Sequence, residues 1–114
     1  ESIYMDLDTL PHEEFWILYL NQSNRLLEKY RLSKGGITQT TVDLRLAFKR
    51  AFEVGATGLI LAHNHPSGGL TPSSSDEQIT RKFKLAAASV DLRILDHLIV
   101  SKKGYFSFAD EGLL

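Results

Sequence analysis

Residues 14–21 read EFWILYLN, with aromatic and aliphatic side chains at nearly every position, and are followed by the turn-forming run Asn21-Gln22-Ser23-Asn24. A short apolar run bounded in this way predicts a buried strand. RLLEKYRLSK (25–34) predicts its hairpin partner, interrupted by Gly35-Gly36. From about Thr41 to Val54 the period changes. Leu44, Ala47, Phe48, Ala51 and Phe52 recur at helical spacing, predicting a helix with those residues inward and Gly55 as its C-terminal cap. TGLILA (57–62) is nearly free of polar residues and suits a central strand covered on both faces. A second helix is expected from near Ser73, with Ile79, Phe83, Ala86, Ala87 and Val90 on its inner face. LRILDHLIV (92–100) predicts a strand, Lys102-Lys103-Gly104 a turn, and YFSF (105–108) a last strand. This succession predicts an α/β layered domain, a mixed β-sheet flanked by helices.

Composition narrows the class. The chain has 114 residues, 43% of them hydrophobic, the size and content of a single domain with its own core. No stretch approaches the roughly 18 apolar residues of a membrane span. The start, ESIYMDLDTL, lacks both the basic and the long apolar region of a signal peptide, and lacks an initiator methionine. A single domain over 1–114 is expected, with residues 1–10 as lead-in and with more chain in the full protein. There is no cysteine, which excludes disulfides and thiolate metal sites and fits a cytoplasmic chain. The formal net charge is -1, not the basic balance of a phosphate-gripping DNA binder. Arg25, Lys29, Arg31, Lys34, Arg45, Lys49 and Arg50 are dense along the chain, and are expected as solvated charges on a strand and a helix.

The chemistry concentrates in AHNHPSGGLTPSSSD (62–76). Strand periodicity turns His63 and His65 to the same side. They fall at the C-terminal end of a central strand, where open α/β sheets place their sites. Asp76 is the natural third ligand, because the Gly68-Gly69 turn can return the chain and present the next helix's first turn. Three ligands plus a water is the usual set of a catalytic zinc. The same residues also admit a structural reading. A His-x-His pair is common without a metal, and Ser73-Ser74-Ser75-Asp76 has the form of a capping box, Ser73 at the N-cap and Asp76 at N3.

The full spacing, His-x-His, seven residues, Ser, two residues, Asp, resembles the JAMM (MPN-domain) metalloprotease signature. The flanking LILA, HNHPSG, LDHLIV and YFSFADEG, together with PHEEFWILYLN and KGGITQTTVDLR, resemble the C-terminal domain of bacterial RadC proteins. The likeness runs from about Pro11 to the end. It implies a JAMM/MPN-type (cytidine-deaminase-like) fold and one zinc ion held by His63, His65 and Asp76, with a water in the open position. Such an ion lowers the water's pKa to roughly 7. The resemblance also implies that Ser73 donates a hydrogen bond to the developing oxyanion, and that an upstream glutamate acts as general base. Glu13 and Glu14 both stand at the head of an all-apolar strand, so periodicity does not choose between them; similarity to RadC-type chains favours Glu13. Asn64 stands where JAMM proteases usually carry Ser, which removes no ligand but loosens the inference to peptide cleavage. Asp96 and His97 match the RadC pattern as well. As strand neighbours they face opposite ways, and each is expected to be a buried polar group with a local partner rather than an orienter of a zinc ligand. His12 is expected at the surface. Arg45 is open between substrate binding and pairing with a carboxylate.

Three functions compete at this point. A zinc hydrolase cutting an amide bond in a peptide or protein fits the ligand set. A non-enzymatic interaction module is disfavoured, because such modules have lost ligands and here every ligand position is filled. A DNA-repair accessory role follows the RadC name, but a helix-hairpin-helix-like segment is expected upstream of this domain, and near-neutral charge predicts weak or no nucleic-acid binding by the domain alone. A cytidine deaminase needs a Pro-Cys-x-x-Cys pair and is excluded. No membrane partner is expected, and a homodimer is compatible with the sequence without being required by it.

Overall fold

The computed structural model describes residues 7–35 and 42–114. Gly36, the predicted helix start at Thr41 and most of the lead-in lie outside the described residues. The elements are β1 (Glu14–Leu20), β2 (Leu26–Lys34), α1 (Leu44–Val54), β3 (Gly58–Asn64), α2 (Ser74–Ser89), β4 (Arg93–Ser101) and β5 (Gly104–Ser107). They form a mixed sheet in the order β2-β1-β3-β4-β5. β3 and β4 run parallel, joined by α2 as a crossover, and the other neighbours are antiparallel. β3 is therefore central, as its apolar run predicts. No helix among the described residues is long and apolar enough to cross a membrane.

Local chemistry sets the boundaries. The β1–β2 turn closes because the Asn21 side chain accepts from the backbone N–H of Ser23 and Arg25, while Asn24 takes a left-handed φ of 61°, a conformation asparagine tolerates better than most residues. Asp43 caps α1 by accepting from Arg45 N–H, and Gly55, at φ 73°, ends it. Ser73 and Asp76 form the expected capping box at the start of α2.

The sheet's two faces are covered differently. Phe15, Ile17, Tyr19, Leu59 and Leu61 meet Ala47 and Ala51 of α1 and Ile79, Phe83 and Ala87 of α2 in the main core. Both described helices thus serve one face. On the other face Leu7 and Leu10 pack over Trp16, Leu18, Ala62, Leu98 and Val100, so part of the lead-in closes the second layer. Two residues expected inward are exposed, Phe52 at 58% and Val90 at 42%. α1 approaches the sheet through Ala47 and Ala51, close enough for the Tyr19 hydroxyl to donate to the Ala47 carbonyl at 2.6 Å. Phe52 is one position, about 100° of helical rotation, beyond that stripe. Val90 is already the C-cap of α2.

Candidate metal centre

β3 carries strand geometry through His63, whose side chain points into the helix-covered face and is fully buried. His65 follows the strand end, and its N–H still bonds to the Val100 carbonyl of β4 at 2.9 Å. The chain then turns through Gly68, at φ 96°, where Ser101 Oγ holds the Gly68 carbonyl. That turn brings the N-terminus of α2 back over the histidines. His63 Nε2 lies 3.2 Å from His65 Nε2 and 2.9 Å from Asp76 Oδ1, and His65 Nε2 lies 3.2 Å from Asp76 Oδ2. His63, His65 and Asp76 thus offer ligand atoms within 4.8 Å of one another and could hold a metal ion.

The separations suit zinc. Ligands about 2.0–2.1 Å from an ion at tetrahedral corners stand about 3.3 Å from each other. Two imidazole nitrogens and a carboxylate oxygen are also the donor types zinc takes when no thiolate is present. The capping box does not compete with this arrangement. Asp76 Oδ2 accepts from the Ser73 N–H at 2.8 Å, and the carboxylate still reaches both histidines. The capping reading of Asp76 is realised, and the same carboxylate stands where it could also serve as a metal ligand.

The electrostatics favour an anionic Asp76. Burial pushes its carboxyl up, but hydrogen bonds to His63 and His65, then the charge of His63 and the Ser73 N–H, outweigh burial and hold it far below the usual carboxylate range. The Asp76 hydrogen bond raises His65 above the ordinary imidazole range against the effect of burial, and the charges of Asp76 and Glu13 act in the same direction. Burial drives His97 well below that range, so it is neutral at neutral pH.

The two glutamates separate clearly. Glu13 lies two residues before Phe15, whose ring stacks on His63 at 5.7 Å, and so belongs to the same sheet face as the cluster. Glu14 turns to the other face and is buried. It accepts from Trp16 Nε1 at 2.9 Å, pairs with His12 Nε2 at 2.9 Å and lies 3.5 Å from Arg31. One expectation needs correction here: His12 is half-buried against Glu14 instead of lying at the surface. Asn64 accepts from the Glu14 N–H at 2.7 Å and donates to the His12 carbonyl at 2.8 Å, clamping the entry of β1 to the end of β3. Asn64 thereby fixes the backbone that carries Glu13 relative to the strand that carries the histidines.

The Glu14 arrangement makes stability pH-dependent. Burial raises its pKa, but the hydrogen bonds from Trp16 and His12 and the charge of Arg31 leave it below the ordinary 4.5. The folded state therefore binds fewer protons than the unfolded one. This contribution is fully present above about pH 4.5 and is lost as pH falls through the lower folded value. Glu14→Gln is expected to cost roughly 1–2 kcal/mol at neutral pH. It should also flatten the acid limb of a thermal-denaturation series; an unchanged acid limb would contradict the assignment.

Ser73 is exposed, and its Oγ accepts from the Asp76 N–H at 3.0 Å. The cap uses a lone pair and leaves the hydroxyl proton available. Arg45 pairs with Asp43 at 3.3 Å and its side chain is 92% exposed, which favours the carboxylate-pairing reading. Asp96 and His97 do face opposite ways. Asp96 is the local structural group expected, accepting from Ser107 Oγ, Ala109 N–H and His97 N–H. His97 departs from that expectation. It is fully buried, stacks on Phe108 at 4.6 Å, and places Nε2 2.9 Å from His63 Nδ1. Thr80, which the sequence reading does not single out, completes the contact at 2.6 Å from His97 Nδ1. Its signal is only its position one helical turn after Asp76.

The family profile described as "RadC-like JAB domain" matches residues 1–113. A UPF0758 protein of Flavobacterium johnsoniae is 61% identical over 104 residues, covering 91% of this chain and 45% of the relative. One from Porphyromonas gingivalis is 49% identical over 109 residues, covering 95% of this chain and 48% of the relative. UPF0758 protein YeeS of Escherichia coli is 45% identical over 114 residues, 100% of this chain and 77% of the relative. The chain thus spans about half the length of the first two.

Proposed function

The chain belongs to the RadC-like JAB domain family, and from that premise we propose that it is a zinc-dependent hydrolase that cuts an amide bond in a peptide or protein. The observation that carries the proposal is the convergence of His63 Nε2, His65 Nε2 and the Asp76 carboxylate. The three would hold one zinc ion. When bound, zinc supplies a Lewis acid and brings the pKa of a coordinated water to about 7.

The chain's own residues do the rest. The Glu13 carboxylate takes the proton of the attacking water and returns it to the leaving amine. General acid–base catalysis of this kind contributes about 10²–10⁴-fold. The Ser73 hydroxyl, whose proton the helix cap does not use, donates to the oxyanion as the carbonyl becomes tetrahedral. One donor of this kind is typically worth about 3–4 kcal/mol of barrier. Asn64 keeps Glu13 in register with β3, and the buried ring of Phe15 supports the His63 imidazole.

Nucleic acid is a weaker fit. The cations that crowd residues 25–50 include several neutralised locally: Arg50 by Glu28 and Glu53, Lys49 by Glu53, Arg31 by Glu14 and Arg45 by Asp43. Purification without chelators should yield about one zinc per chain, held by His63, His65 and Asp76. A peptide library should be cleaved by the zinc-loaded protein, lose cleavage on chelation and regain it with added zinc. Folded, zinc-loaded protein that cleaves no peptide or isopeptide would overturn the hydrolase proposal while leaving the metal site intact.

A further inference from the structure

The two histidines of the cluster are held by different kinds of partner. His65 Nδ1 faces the Gly69 carbonyl at 3.0 Å. A carbonyl can only accept, so Nδ1 carries a proton, and in the neutral ring Nε2 keeps its lone pair. His63 Nδ1 faces an imidazole instead, at 2.9 Å from His97 Nε2. An imidazole can donate or accept, so this contact alone does not fix the tautomer of His63.

Thr80 resolves the direction. It lies one turn after Asp76 on α2, and its hydroxyl donates to the Asp76 carbonyl at 2.9 Å, the back-bonding common for threonine in helices. A hydroxyl has one proton. The 2.6 Å contact between Thr80 Oγ1 and His97 Nδ1 is then made by the proton on the ring nitrogen. His97 Nε2 is left as an acceptor, and His63 Nδ1 must donate to it. In the neutral ring, the form a metal binds, the lone pair of His63 therefore falls on Nε2, the nitrogen that faces His65 and Asp76. Were Thr80 to donate to His97, every step would reverse and His63 would present an N–H to the ion.

We propose that Thr80 and His97 are positioning residues that hold His63 in the tautomer able to bind metal, through the chain Asp76 carbonyl, Thr80 hydroxyl, His97, His63. The inference rests on the metal reading above. It also makes α2 contribute twice to the centre, once through the Asp76 carboxylate and once through the orientation of His63. The packing supports the chain. Thr80, His97 and His63 are all buried, and Phe15 and Phe108 pack against the rings.

The test is zinc affinity, measured by competition with a chromophoric chelator, in wild type, Thr80→Val, Thr80→Ser and His97→Phe. It is paired with ¹⁵N imidazole spectra of the zinc-loaded wild type. Loss of such an outer partner typically weakens metal binding about 10–100-fold, and that range is expected for His97→Phe. Thr80→Val should fall at its lower end, about tenfold. Thr80→Ser, which keeps the hydroxyl, should bind as wild type does. The spectra should show His97 protonated on Nδ1 and bare on Nε2. Thr80→Val is nearly isosteric and carries the test should His97→Phe not fold. Wild-type affinity in a folded Thr80→Val protein, or His97 protonated on Nε2 in the zinc form, overturns this inference alone. A wild-type protein that takes up no zinc overturns the metal reading and this inference with it.

Discussion

His63→Ala is expected to empty the metal centre and abolish hydrolysis together. His63 is the member of the cluster with no exposure, wedged between Phe15 and His97, with Nε2 directed at both other ligands. Alanine removes the ligand atom and leaves a cavity beside the cluster. Zinc affinity should fall by more than the roughly 100-fold that marks the upper end for an outer partner. Zinc content after purification should drop from about one per chain toward zero. Activity on any cleaved peptide should vanish with it. The measurements are metal analysis and a chelator competition, with circular dichroism to show that the fold persists. A variant that keeps stoichiometric zinc would show that the ion sits elsewhere.

Glu13→Gln is expected to separate chemistry from binding. Glutamine keeps the size and loses the proton-accepting carboxylate. The expected fall in kcat is about 10²–10⁴-fold, with zinc content unchanged. Glu14→Gln should do the opposite, reducing stability while leaving kcat near wild type. The contrast is sharp because the residues are adjacent and alternation gives them different faces: Glu13 falls on the face of Phe15 and His63, while Glu14 is tied to Trp16, His12 and Arg31. If Glu14→Gln removes activity and Glu13→Gln does not, the assignment of the base is reversed.

The residues that the sequence made legible are those whose role depends on local periodicity. The apolar run 57–62 reads as a central strand, and β3 is central. Ser73 and Asp76 read as a cap because the capping box is a four-residue pattern, and it is present. The His-x-His spacing sets two imidazoles on one side whatever surrounds them. Other features depend on tertiary neighbours and left no local trace. Strand alternation could not choose between Glu13 and Glu14, since both faces of β1 are apolar. The choice needs β3 beside β1, with Asn64 binding one glutamate's backbone and His63 under the other's face. His97 read as an ordinary buried polar residue because its partner is 34 residues away. Phe52 read as core because its spacing is helical, but the closely packed Ala47–Ala51 stripe sets the rotation of α1 and turns Phe52 outward.

His63, His65 and Asp76 are expected to share one divalent cation, and anomalous scattering at the zinc edge from crystals grown without chelator would reveal it. A single strong peak is expected about 2.0–2.2 Å from His63 Nε2, His65 Nε2 and an Asp76 carboxylate oxygen. Zinc-supplemented crystals with no peak among these atoms, and Asp76 bonded only to its own helix start, would contradict it.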